Sequence, residues 1–303
     1  NGTAIKTDRF TWDLTLNMGL NRNKILSLSP DIKTSFLSGG FGRSASPIVA
    51  EGGSYGDIVS LRWAKDPTTG QYLIGSQSSS PTVTEASVSS TGLPVITTDQ
   101  QLIGNFNPKM LLGFTNSFTY KGFSLRFLID ARLGGIAVSG TEMNLAFSGI
   151  TEATAQKRDD GWVLPGITGG VAGVDGVTKI GAGKTNATAI SAEQFWQTVS
   201  GKRYGVGEFF AYDATNVRLR EVSIGYGIPV PSNFFIKSAR LSFVARNLFW
   251  FYRGSSLLDI PGIGKRKMWF DPDVNISNGN FQGVEYGTLP SNRSLGLNLK
   301  LSF

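Results

Sequence analysis

The ten residues SLGLNLKLSF place Leu295, Leu297, Leu299, Leu301 and Phe303 in strict alternation with Ser294, Gly296, Asn298, Lys300 and Ser302. Neighbouring side chains of a strand point to opposite sides of a sheet, so this pattern makes a ribbon with one oily face and one wet face. The same period recurs in other segments. From Arg9 to Asn21, Phe10, Trp12, Leu14, Leu16, Met18 and Leu20 oppose Thr11, Asp13, Thr15, Asn17 and Gly19. Lys109 to Tyr120 and Phe123 to Gly134 alternate on either side of the turn Lys121-Gly122, and Ala239 to Tyr252 alternates as well. Thr215 to Ile228 changes phase: Val217 and Leu219 are odd-numbered, whereas Val222, Ile224, Tyr226 and Ile228 are even-numbered. One extra residue near Arg220-Glu221 restores the face, which predicts a β-bulge there. The expected class is all-β, with six two-faced strands whose oily side needs a cover.

The hydrophobic fraction is 40%, and no stretch approaches the ~18 uninterrupted apolar residues of a membrane helix. Cysteine and histidine are both absent. That removes disulfides, thiolate nucleophiles, Cys- or His-ligated metals and imidazole acid-base chemistry, so an enzyme is not the expected reading. The net charge is +7, but the basic residues are scattered singly, without interleaved aromatics, and no nucleic-acid partner is expected. The sequence opens at Asn1 with no initiator Met or leader, as a mature form or a piece of something longer would.

The connections alternate in length: roughly 90 residues, two, roughly 80, ten, then roughly 40, as in a membrane barrel with short turns on one side and long loops on the other. A β-sandwich has no reason for that asymmetry, and compact domains seldom carry such long connections. Phe10, Trp12, Phe118, Tyr120, Phe123, Tyr226, Phe234, Phe235 and Phe303 map near the short turns, and Phe249, Trp250, Phe251 and Tyr252 near a long loop, as interfacial girdles do. An Arg facing lipid at mid-bilayer costs ~2 to 4 kcal/mol. Asp13, Arg126, Asp130, Arg132, Arg218, Arg240, Arg246 and Lys300 are therefore expected to face the lumen, and the oily rows the lipid bilayer.

Several ordered stretches resemble a known family. NVRLREVSIGYGIP, ARLSFVARNLFWF, DPDVN and GVEYGTLPSNRSLGLNLKLSF are similar to the C-terminal end of SusC/RagA-type TonB-dependent outer-membrane transporters. Upstream, DIVSLRWAKDPTTGQYLI resembles that family's loop segment, and IGNFNPKMLLGFTNSFTYKGFSLRFLID its following hairpin. The resemblance implies a transmembrane antiparallel β-barrel of the bacterial outer membrane, of which these residues are the C-terminal strands. It also implies an N-terminal plug, a TonB complex and a SusD-like lipoprotein lid. Outer-membrane transporters of this kind have 22 strands and a plugged lumen, so six strands need the remainder of the barrel and plug. Extracellular loops are expected at about 23–108, 135–214 and 253–290. Gly296, Leu299, Leu301 and Phe303 resemble the terminal signal read by the barrel assembly machinery.

Sharper motifs are weak. GAGKT at Gly181 to Thr185 has Thr178 where a phosphate loop needs Gly, and Asp159-Asp160 are too close together to flank a glycosidic bond. Asp271, Asp273 and Asn275 have calcium-loop spacing, but Gly279 is misplaced and no Glu occupies the twelfth position; calcium is the alternative to a plain turn, and no other metal or cofactor is expected. Trp63, Trp162, Trp250, Tyr252, Trp269 and Phe270 are candidates for stacking on ligand. The expected function is import of nutrient oligomers, glycans or peptides, through a TonB-dependent transporter. A passive porin-like barrel and a soluble β-sandwich carbohydrate-binding module are the alternatives.

Overall fold

The computed structural model describes residues 1–37, 44–66, 69–75, 91–97, 99–168, 171–172, 179–180, 184–201, 205–232, 235–273 and 282–303. Phe234, Asn275, Thr178, Gly279 and the Gly181 to Gly183 part of the GAGKT motif lie outside the described residues.

The alternating segments form one antiparallel sheet. β1 (Gly2–Lys6) and β2 (Phe10–Leu20) open it. In the first long connection lie β3 (Thr34–Phe36), β4 (Ser46–Ala50), β5 (Asp57–Ser60) and β6 (Gln101–Asn105). Then come β7 (Met110–Tyr120) and β8 (Phe123–Leu133). The second connection holds β9 (Ile136–Ser139), helices α1 (Gly140–Phe147), α2 (Glu152–Ala155) and α3 (Ala192–Ser200), and β10 (Ala211–Asp213). β11 (Asn216–Ile228), β12 (Ser238–Arg253), β13 (Val284–Glu285) and β14 (Ser294–Ser302) follow. The large sheet runs β1-β2-β7-β8-β11-β12-β14, seven strands rather than six. β1 escaped the period reading because GTAIK has one large apolar side chain, Ile5, and its pairing with β2 slips between Thr3 and Ile5.

Register places the faces as the alternation requires. Trp12 pairs with Phe118, Phe127 with Val222, Ile224 with Phe243, and Phe243 with Leu297, all in the oily row. Leu219 pairs with Ile129 and Glu221 with Leu128, so Arg220 is the extra residue of the predicted bulge. Lys121 and Gly122 close the β7–β8 hairpin at φ 44° and 87°, the paired positive values that a tight two-residue turn with the twist of its strands demands.

No second sheet or helical layer covers the oily row among the described residues. Leu297 is 77% exposed and Phe243 40%, and Leu14 and Phe127 are only half-buried. This corrects the sandwich alternative, in which these side chains would form the sealed interior. The hydrophobic core lies elsewhere, in the long connections: Ile58, Trp63, Val138, Met143, Phe195, Trp196, Phe209 and Val284 belong to one buried cluster. Backbone pairing stitches those connections together. β9 takes β10 antiparallel on one side and β13 parallel on the other, and β3 to β6 form their own four-stranded sheet. α3 is fixed by a capping box between Ser191 and Gln194 and stops at Gly201, whose φ is 43°.

Candidate functional site

On the wet row, charges are arranged by register and neutralised where they are buried. Arg218 and Asp130 are opposite each other on β11 and β8. The Arg218 guanidinium donates to Asp271 (Nη1 to Oδ2, 2.8 Å), pairs with Asp273, and lies 3.5 Å from Asp130. Arg220 reaches Asp130 at 2.7 Å and Asp273 at 3.4 Å, and Arg132 reaches Asp273 at 3.3 Å. Three arginines of the wall thus meet Asp130 and the two carboxylates of the DPD turn, and the backbone N–H of Asp273 donates to Asp271 to close that turn. Burial pushes the Asp273 carboxyl up, but Arg218, Arg132 and Arg220 outweigh it and hold the group below its ordinary value. Both Asp271 and Asp273 spend their charge on guanidinium groups, which is what a loop tether needs and what a calcium site would have to undo.

Further along the row Thr3 donates to Asp13 at 2.7 Å, Arg240 donates to Ser124, and Arg246 pairs with Glu221 at 2.9 Å. Arg126 is registered between Ser117 and Ser223, and Lys300 faces Arg240 across β12 and β14. All eight residues expected on the inward face therefore sit in one set of rows. Arg220 and Glu221 join them and were not singled out in the sequence reading. The signal was there: the phase change at the bulge withdraws both from the oily row.

The oily row carries an aromatic belt near the short turns. Ring centroids of Trp12 and Phe118 are 5.5 Å apart, those of Phe123 and Tyr226 4.5 Å, and those of Phe235 and Phe303 5.9 Å. At the other end Phe249 and Phe251 meet edge to face at 4.8 Å. One polar residue interrupts this face. Asn116, 4% exposed, is paired with Leu14 and Phe127, and the Trp12 indole N–H donates to its carbonyl oxygen at 3.1 Å.

The candidate ligand aromatics separate. Trp63 and Trp162 are interior residues: Trp63 donates to Leu73 O and stacks on Tyr72 at 4.1 Å, and Trp162 donates to Pro261 O and packs on Phe195 at 4.4 Å. Phe270 is buried against Tyr212. Tyr252 is registered with Val217 on the oily row, whereas Trp250 is registered with Arg218 on the wet row, with the Arg218 guanidinium 4.8 Å from its ring centroid. Trp269 is 47% exposed in the third connection.

Residues of that connection also complete a buried ionic group. Arg266 pairs with Glu142 of α1 at 2.8 Å, and the Tyr212 hydroxyl donates to the other Glu142 oxygen. Burial raises the Tyr212 phenol, and the Glu142 charge adds to this against the opposing pull of Arg266, so the group stays protonated far above its ordinary range. Burial alone would lower Arg266, but Glu142 and Tyr212 reverse the direction and raise it.

No protein-family profile matches the chain. Among curated proteins, TonB-dependent receptor P3 of Formosa agariphila is 26% identical over 320 residues, covering 99% of this chain and 28% of that protein. TonB-dependent receptor P26 of the same organism is 22% identical over 312 residues, with 100% and 28% coverage. The chain is similar to TonB-dependent receptors along its whole length. The solved RagAB peptide transporter has the same fold over 100% of this chain and 28% of its own, with a TM-score of 0.53 at 15% identity. The RagAB peptide importer in its open-open state gives 0.52 at 17%. The relatives thus match the TonB-dependent part of the resemblance, and the RagAB structures share the fold. The segment spans little more than a quarter of these relatives, and its seven strands are wall of an antiparallel transmembrane barrel.

Proposed function

We propose that this receptor segment forms part of the wall and the extracellular loops of a bacterial outer-membrane transporter that imports nutrient oligomers, glycans or peptides. The reading is carried by one observation: a sheet whose outer row is exposed and apolar while its inner row is charged and tied to packed loops. Curated relatives named TonB-dependent receptors support it, as do neighbours described as a peptide transporter and importer. No bond is broken in this reading, and the segment is not an enzyme. The remainder of the barrel and plug completes the pore, the TonB complex supplies energy, and a SusD-like lipoprotein closes over the loops near 23–108, 135–214 and 253–290. Trp269, exposed, and Trp250, half-buried beside Arg218, are the proposed ligand contacts. The inward Asp13, Arg126, Arg240, Arg246 and Lys300 present fixed charges to plug and lumen. Gly296, Leu299, Leu301 and Phe303 serve the barrel assembly machinery. The test is uptake of labelled oligomers by cells with and without TonB. Uptake lost on deletion supports the reading, and undiminished uptake contradicts it.

A further inference from the structure

A cavity of about 460 Å³ opens between α1, α2 and the third connection, lined among others by Arg266, Lys265, Lys267, Thr151 and Trp269. That volume suits a small ligand or one residue of an oligomer. Its chemistry is unbalanced. Glu142 is used up, since its two carboxylate oxygens accept from Arg266 and Tyr212. Arg266, whose side chain is 9% exposed, retains a buried Nη1 with no hydrogen-bond partner, and the buried Thr151 hydroxyl on the same lining also has none. Native structures rarely leave such donors unmatched, and with Nε given to Glu142 and Nη2 to Phe209 O, Nη1 is the guanidinium nitrogen left to take one carboxylate oxygen. Lys265 and Lys267 flank Arg266 on the exposed rim, and neither makes an ion pair among the described residues; Glu152 is the one acidic group on that rim. Trp269, half-exposed, supplies an apolar face at the same mouth.

We propose that this cavity binds a carboxylate-bearing unit of the imported oligomer, with the acid group toward Arg266, Thr151 and the two lysines and its apolar body against Trp269. The inference rests on the import reading and names a chemical class within it. Uronic-acid residues and peptide carboxylates share the required group.

The test is calorimetric titration of the complete purified receptor in detergent. The probes are a uronic-acid disaccharide with its methyl ester, and an N-acetylated tripeptide with its C-terminal amide. At least one acid is expected to bind about ten-fold or more tightly than its neutral counterpart, the worth of one charge-assisted hydrogen bond. Lys265→Gln combined with Lys267→Gln, both exposed and outside the buried ion pair, is expected to weaken that acid several-fold and leave the neutral form unchanged. Which of the two acids binds tells the sugar source from the peptide source. The proposal is overturned if the folded receptor binds neither acid at millimolar concentration, if ester or amide binds as well as acid, or if the double variant retains full affinity. TonB-dependent uptake accompanying any of these results leaves the import reading standing and removes only the carboxylate site.

Discussion

Arg218 and Asp271 meet at 2.8 Å with side chains 3% and 5% exposed, the arginine on a wall strand and the aspartate in a loop turn. A loop is thereby bound to the polar row of the sheet by a buried charge pair. Removing one member of such a pair strands the other in low dielectric, at a cost of roughly 3 to 5 kcal/mol. Arg218→Met is expected to free the third connection, with proteolysis near residues 254–273 at least about ten-fold faster while the wall strands stay resistant. Unchanged cleavage would remove the tether from the fold's description.

The same cluster sets a pH dependence. Asp273 titrates below its unfolded value, so its stabilising contribution is complete above the unfolded carboxyl range near ~4 and is lost as pH falls through the folded value. Protease resistance of this loop is expected to be flat from about pH 5 to 8 and to fall below about pH 4. Asp273→Asn is expected to lower the plateau and flatten the acid step. A step of the same size in that variant would assign it to other carboxyls.

Trp12 and Asn116 make a second measurable pair, on the outer face. The amide oxygen of Asn116 is satisfied by the indole, whereas its Nδ2 has no partner. Trp12→Phe strips the oxygen of its donor and is expected to destabilise by about 1 to 3 kcal/mol, whereas Asn116→Leu is expected to be neutral or stabilising. Equilibrium unfolding in lipid vesicles checks both, and a costly Asn116→Leu would show that the amide has another role.

The two rows of β14 should respond oppositely to charge. Leu297 pairs with Phe243 on the exposed oily face, and Asn298 with Ser242 on the polar one. Leu297→Arg is expected to cost ~2 to 4 kcal/mol if it lies near the bilayer midplane, and Asn298→Arg little. Heat-modifiable migration on gels, scored for the folded fraction, reports both.

Much of this fold was legible because a period of two is a strong signal when large apolar side chains carry it. Six wall strands, their faces and the bulge at Arg220 followed from side-chain alternation alone. β1 did not, since Gly2, Thr3 and Ala4 give the pattern nothing to write with. The loops were opaque for a different reason. Their core joins Trp63, Val138, Phe195 and Val284, residues far apart in sequence, and β9 pairs with β13 across some 145 positions. Local pattern carries no trace of such pairing. That is why Trp63 and Trp162 read as candidate ligand platforms, although both rings are sealed and both indole N–H groups are occupied. Arg266 was missed for the same reason: nothing in GKRKMW says that the middle cation turns inward to Glu142.

In this architecture the exposed oily row faces lipid. The described chain contains no cysteine, so Leu297→Cys and Asn298→Cys each introduce a single spin-label site in it. Measured in the complete receptor in a bilayer, with any native cysteine elsewhere replaced, the label at 297 is predicted to relax with oxygen and ignore a water-soluble nickel chelate. The label at 298 is predicted to lack that oxygen preference. A label at 297 shielded from oxygen, or collided with by nickel as freely as its neighbour, would contradict the membrane face and the barrel wall built on it.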